Sequence, residues 1–160
     1  MSVTDLDAAI AGFRAGSPAS GEGLVPGNWS DEDWKELFRF TSTRRIKAGD
    51  MLIRRGDPDR TLYFVLSGDL EVVVHSADGM SMGPLTRIGA GCVLGEQSFF
   101  DGSPRSASVW ATDHCDVAAM SPEQYAALEV ASPGLARDLL FALGRVLAIR
   151  LRRTTAKVIG

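Results

Sequence analysis

Residues 62–79 run LYFVLSGDLEVVVHSADG. An apolar, β-branched and aromatic stretch stops at Ser67-Gly68-Asp69, a second begins at Leu70, and Ser76 to Gly79 closes it. Stretches of this composition bounded by glycine-bearing turns read as strands, and the pair joined at Gly68-Asp69 is expected to form a hairpin. On both sides the pattern recurs, as RRIKAGD (44–50), MLIRRGD (51–57), LTRIGAG (85–91), SASVWA (106–111) and CDVAAM (115–120). About eight short strands at this spacing predict a sandwich or barrel between Thr41 and Met120.

Helical periodicity flanks the strands. Leu6, Ile10 and Phe13 share one helical face, and Thr4 and Asp7 have the spacing of a capping box, so 4–15 is expected to be a helix. The following GSPASGEGLVPGN (16–28) has the composition of a linker. Ser30 is placed to cap a second helix, with acids in its first turn and Trp34, Leu37 and Phe38 on one face. After the strands, Ser121-Pro122-Glu123 starts a short helix and Pro133 a long one, in which Leu135, Leu139, Leu143, Val146, Leu147 and Leu151 recur at three- and four-residue steps. Residues 1–29 are thereby set apart as an N-terminal extension and linker, and 30–160 as one domain ending in the long helix.

With 160 residues, 45% of them apolar, the chain can bury one sizeable core and is too short for two ordinary domains. Its net charge of −3 disfavours broad nucleic-acid binding, so no direct DNA contact is expected. The charge is uneven: residues 134–160 carry six basic side chains against Asp138 alone, the composition of a solvated helix face ahead of a surface for a nucleic acid, a membrane or an acidic partner. Cys92 and Cys115 lie in apolar surroundings and read as core residues of a reducing compartment, which makes a cytoplasmic location the expectation. The acid-bearing N-terminus lacks the pattern of a secretory signal, and Arg145 and Arg150 interrupt the most apolar helix, so no membrane span is expected.

The chemistry concentrates in IGAGCVLGEQSFFDGSPRSASVWA (88–111). Gly95 and Glu96 end a strand-like segment and open a short helix containing Gln97 and Ser98; Asp101-Gly102 stops it, and Pro104 and Arg105 follow. Unpaired N–H groups at a helix start favour an anion, and the Arg105 guanidinium can hold a phosphate through two parallel bonds. A carboxylate beside a phosphate is repulsive unless it accepts from another donor. A ribose hydroxyl is such a donor, and Glu96 fits it. Ser106 adds a hydroxyl that can reach phosphate or base. A ligand with a phosphate and a ribose hydroxyl on neighbouring edges is a cyclic or an ordinary nucleotide.

Leu94-Gly95-Glu96 and Pro104-Arg105-Ser106-Ala107-Ser108-Val109 stand where a phosphate-binding cassette would. With Gly49-Asp50, Gly56-Asp57, Leu62 to Gly68 and Gly89 to Gly91 as its turn glycines and strands, the sequence resembles the cyclic nucleotide-binding domain family over about Trp34 to Arg152. The resemblance implies a mainly β fold with flanking helices: an eight-stranded β-roll (double-stranded β-helix or jelly roll) with an N-terminal helix and two C-terminal helices. It also implies a ligand. Cyclic AMP is favoured and cyclic GMP left open, with Glu96 on the ribose 2′-hydroxyl and Arg105, helped by backbone N–H groups near Gln97 and Ala107, on the cyclic phosphate. The C-terminal helix is then a lid, with Arg145 or Arg150, ahead of Leu147, over the base; its movement is the output to an effector domain or partner. The family often has Asp or Ser at the position of Cys92 and Phe at that of Leu94, changes that leave Glu96 and Arg105 in place.

His75 and His114 have no spacing that builds a metal site or a nucleophile–base pair, so neither a metal nor catalysis is expected, and the chain reads as a sensor module rather than an enzyme. Trp29, Trp34 and Trp110 read as packing residues. Two other functions stay open. One is a catabolite-activator-type transcription regulator lacking its DNA-binding part, the helix-turn-helix that such a regulator is expected to carry after the long helix. The other is a ligand-free β-roll used for protein interaction or homodimerisation.

Overall fold

Two capping boxes set where helices flanking the strands begin. Ser30 accepts from the Asp33 amide (3.2 Å) while the Asp33 carboxylate accepts from the Ser30 amide (2.9 Å), and α2, Asp31–Arg39, follows. Ser121 and Gln124 repeat the arrangement ahead of α4, Pro122–Ala131. The computed structural model describes residues 3–15, 21–73 and 86–159. Within them α1 spans Val3–Arg14, α3 Glu96–Asp101 and α5 Pro133–Ile159.

Eight strands lie between α2 and α4: β1 Ser42–Ile46, β2 Met51–Ile53, β3 Leu62–Ser67, β4 Leu70–Val73, β5 Thr86–Ile88, β6 Val93–Leu94, β7 Ser108–Ala111 and β8 Cys115–Met120. They form two four-stranded antiparallel sheets, ordered β1-β8-β3-β6 and β2-β7-β4-β5. This is the eight-stranded β-roll with flanking helices. The unbroken apolar run of β3 follows from burial on both faces. Leu62, Phe64 and Leu66 join a core with the helices, while Tyr63 and Val65 point into the core between the sheets. β8 divides the same way, Ala118 and Met120 to one side and Val117 and Ala119 to the other.

The hairpin expected at Gly68-Asp69 does not form. β3 pairs with β6 and β8, whereas β4 pairs with β5 and β7, so the turn hands the chain from one sheet to the other. Its glycine serves a corner as well as it would serve a hairpin. Gly68 has φ +83°, and a Cβ there would stand 2.5 Å from the His114 carbonyl oxygen and 2.7 Å from Cys115 Sγ. The Asp69 carbonyl then accepts from the Thr112 amide at 3.0 Å and pins the corner to the approach of β8.

Much of the N-terminal extension is core. Ala9, Ile10 and Phe13 of α1 pack with Trp34, Phe38 and Phe64, and Leu24 and Trp29, from and beside the stretch of linker composition, are buried in the same cluster. The Phe13, Trp34 and Phe38 rings lie 5.0 to 6.0 Å apart between centroids. Along α5, Leu139, Leu143 and Val146 are fully buried and Leu151 is 67% exposed, so the helix packs on the roll along one stripe and turns its other face outward. Both cysteines are free, and burial pushes their thiols up. His75 and the Ser76 to Gly79 turn lie outside the described residues. Among the described residues no helix is long and apolar enough to cross a membrane.

Candidate functional site

β6 ends at Leu94, and Gly95 turns the chain into α3 with φ +80°. A Cβ on Gly95 would stand 2.5 Å from Arg105 Nη1 and 2.7 Å from the Thr61 carbonyl oxygen, so glycine is needed both for the backbone and for the approach of the guanidinium. Arg105 is 4% exposed. Its Nη1 donates to the Gly95 carbonyl (3.1 Å), and its Nη2 to the Thr61 carbonyl (2.7 Å) and to Asp59 Oδ2 (2.9 Å). Burial pushes the Asp59 carboxyl up, but hydrogen bonds from Thr61 and Arg105 outweigh it and hold the group below its ordinary value. One nitrogen is left without any partner. Arg105 Nε is, among the described residues, the one buried side-chain nitrogen or oxygen without a hydrogen-bond partner. Such a group costs about 1–3 kcal/mol and asks for an acceptor.

Arg105 borders a cavity of about 390 Å³, within the size range of small-ligand sites. Gly95, Glu96, Gln97, Ser98, Ser106 and Ala107 line it, and no side chain caps the first turn of α3. Ile53, Val72, Ile88, Leu94 and Val109 give it an apolar wall drawn from both sheets. α5 closes the remaining side with Arg150, Arg153, Thr154 and Lys157.

Glu96, 5% exposed, does not stand alone: its Oε1 lies 2.6 Å from Arg150 Nη1. Arg150 Nη2 donates to the Val93 carbonyl at 2.9 Å, and its Nε lies 3.6 Å from Glu22 Oε2. Arg153 Nη1 donates to Glu22 Oε1 at 2.8 Å. Two residues assigned separate tasks in the sequence, the ribose acceptor and the base cap, are therefore ion-pair partners. The other candidate cap, Arg145, is placed away from the cavity, beside Val25 to Gly27, with Nη1 3.5 Å from the Gly23 carbonyl. Pro104 is exposed and Leu147 half-buried, and neither lines the cavity.

Asp59, Glu22, Arg153, Thr154 and Lys157 escaped the sequence reading. For the α5 residues the signal was present: from Leu139, Leu143 and Val146 the same three- and four-residue steps lead to Arg150, Arg153 and Lys157, and Arg145 falls off that stripe. Glu22 had none, since its glycine-rich surroundings read as linker. His114 accepts from the Ala48 amide at 3.3 Å, a structural role. No group of three or more His, Cys, Asp or Glu side chains among the described residues is placed to hold a metal ion.

The family model described as "Cyclic nucleotide-binding domain" matches residues 43–129, a span that contains β2 to β8, all of β1 but Ser42, and the whole Gly95 to Ala107 wall. The chain belongs to the cyclic nucleotide-binding domain family. The cAMP-activated global transcriptional regulator CRP of Haemophilus influenzae is 38% identical to this cyclic nucleotide-binding domain over 127 residues, covering 79% of this chain and 54% of that protein. The cAMP-activated regulator Vfr of Pseudomonas aeruginosa is 32% identical over 127 residues, covering 77% and 57%. The chain spans about half the length of the curated relatives it matches. Among solved structures, the Thermus thermophilus catabolite activator protein superposes with a TM-score of 0.72 at 27% identity over 84% of this chain and 62% of that one. A cyclic nucleotide-binding domain from Methylobacillus flagellatus shares the fold, with a TM-score of 0.80 at 24% identity over 96% and 82%.

Proposed function

We propose that the cavity binds a cyclic nucleotide, cyclic AMP ahead of cyclic GMP, and that the domain is a regulatory sensor without catalysis of its own, acting in the cytoplasm. The observation that carries this is the buried, unpartnered Arg105 Nε at the wall of a nucleotide-sized cavity. A cyclic phosphate supplies the acceptor it lacks. Glu96 can accept from Arg150 and from a ribose hydroxyl together, since a carboxylate offers about four lone-pair sites. The Arg150 contact then orients the carboxylate rather than consuming it. The CRP and Vfr relatives are cAMP-activated, which supports the ligand preference; Ser106, exposed at the cavity wall, keeps cyclic GMP in play.

Calorimetric titration with cyclic AMP and its 2′-deoxy analogue tests the assignment. The deoxy ligand is expected to bind about tenfold or more weakly, and Glu96→Gln to lose a similar factor without a change in fold, because a charge-assisted bond to the ribose is removed in each case. Equal affinity for the ribo and deoxy ligands would remove Glu96 from the ribose.

Output through α5 fits the same geometry. Ligand contacts on Glu96 and Arg150 bear directly on the helix, while Phe141 (76% exposed) and Leu151 flank Ala148 on its outer face and offer an apolar stripe to a second copy of the chain. Sedimentation is expected to show a dimer that Phe141→Asp splits. A parent that sediments as a monomer at every concentration, with and without cyclic AMP, would assign the stripe to an effector instead.

A further inference from the structure

Residues 21–29, which include the described part of the segment of linker composition, run along α5 as a strap. Glu22 faces Arg150 and Arg153, the Gly23 carbonyl faces Arg145, and Trp29 Nε1 donates to Asp138 Oδ2 at 3.1 Å, so residues ascending along the strap meet residues descending along the helix. The Leu24 amide donates to the Gly91 carbonyl at 2.9 Å, which ties the strap to the turn that leads into β6 and on to Gly95. Glu22 itself is 6% exposed and lines the cavity.

A carboxylate so buried on the wall of an anion site would repel the ligand unless its charge is neutralised locally. Arg150 and Arg153 do this, and in return they are held where they stand. Arg150 is shared: Glu22 lies against its Nε and Glu96 against its Nη1. We propose that Glu22 is a positioning residue of the nucleotide site, holding Arg150 and Arg153 so that α5 stays closed over the cavity and the N-terminal strap moves with the lid. The ligand side of this inference rests on the reading of the cavity as a cyclic nucleotide site. The holding of α5 by the strap does not.

Hydrogen exchange on the full chain without nucleotide separates the two. In Glu22→Gln the amides of 147–157 are expected to exchange faster than in the parent, with those of β3 and β8 unchanged, whether or not a nucleotide binds. With cyclic AMP present, Glu22→Gln is expected to bind about tenfold more weakly, mostly through a faster off-rate, because a partner of a largely buried charge pair is removed. Glu129→Gln, on the exposed side of α4, is expected to match the parent in both measurements. Arg153→Met combined with Glu22→Gln is expected to be no worse than Glu22→Gln alone. Unchanged exchange of 147–157 in Glu22→Gln would overturn the proposal, as would a changed preference between cyclic AMP and cyclic GMP, which would mean that Glu22 touches the base. A parent that binds no cyclic nucleotide, with α5 still loosened in Glu22→Gln, would overturn the cavity assignment and leave the strap standing.

Discussion

Arg105→Ala is expected to lower cyclic nucleotide affinity by about 2–5 kcal/mol, thirtyfold or more in Kd, the loss typical of stripping the partner from a buried charge. Two features of the site put the figure toward the upper end. The guanidinium is held by three acceptors, Gly95, Thr61 and Asp59, so it is ordered before the ligand arrives, and its Nε has no protein acceptor to give up. Arg150 and Arg153 do not replace it, because they are already committed to Glu96 and Glu22. The substitution also takes the guanidinium donor from the Thr61 carbonyl, while the Gly95 carbonyl keeps the Phe99 amide at 3.1 Å, so urea unfolding should be measured beside the titration and affinity compared where both proteins are folded. Arg105→Lys is expected to recover little, since an ammonium cannot reach three divergent acceptors and a phosphate together. Binding by Arg105→Ala within a factor of three of the parent would remove Arg105 from the phosphate.

Particular residues show how far the sequence speaks for itself. Alternation of apolar runs and glycine turns located the strands, and Ser30, Ser121 and Pro133 located helix starts, because each of these signals is local. Pairing is not local. Gly68-Asp69 has the same chemistry whether β4 folds back on β3 or crosses to the other sheet, and what decides is the competition of β7 and β8 for those edges. The segment that lines the cavity was legible for a similar reason: Gly95, Glu96 and Arg105 lie within eleven residues, and the structure brings all three to one wall. Asp59 and Glu22 reach the site from 46 and 131 residues away from the side chains they bind, Arg105 and Arg153. Nothing in DPDR or GEG foretells those contacts, and composition pointed the wrong way for the second. The choice between Arg145 and Arg150 lies between these extremes. Helical phase favours Arg150, but only once Leu139, Leu143 and Val146 are known to be the buried face.

Gly95→Ala is expected to destabilise the domain and weaken the ligand together, although it alters no side chain that would touch the nucleotide. At φ +80° an alanine meets left-handed backbone that costs it about 1–2 kcal/mol, and its methyl group adds contacts of 2.5 Å to Arg105 Nη1 and 2.7 Å to the Thr61 carbonyl. The second neighbour is backbone of the loop entering β3, and the first is fixed by its three acceptors, so neither yields cheaply. Overpacking of this kind adds about 1–3 kcal/mol. A total of about 2–5 kcal/mol corresponds to a fall of roughly 5–20 °C in Tm for a chain of this size. Relief comes most easily by swinging the guanidinium away from Gly95, which carries Nε out of line with the phosphate, so a loss of at least tenfold in cyclic AMP affinity should accompany the fall. Gly102→Ala is the matched control. It has a similar φ, +71°, at the other end of α3, but its Cβ would meet only Arg60 at 3.5 Å, an ordinary contact with a flexible side chain. It should show the backbone cost alone and keep the parent's affinity. If Gly95→Ala and Gly102→Ala melt together and bind alike, the close approach of Arg105 to Gly95 does not shape the site.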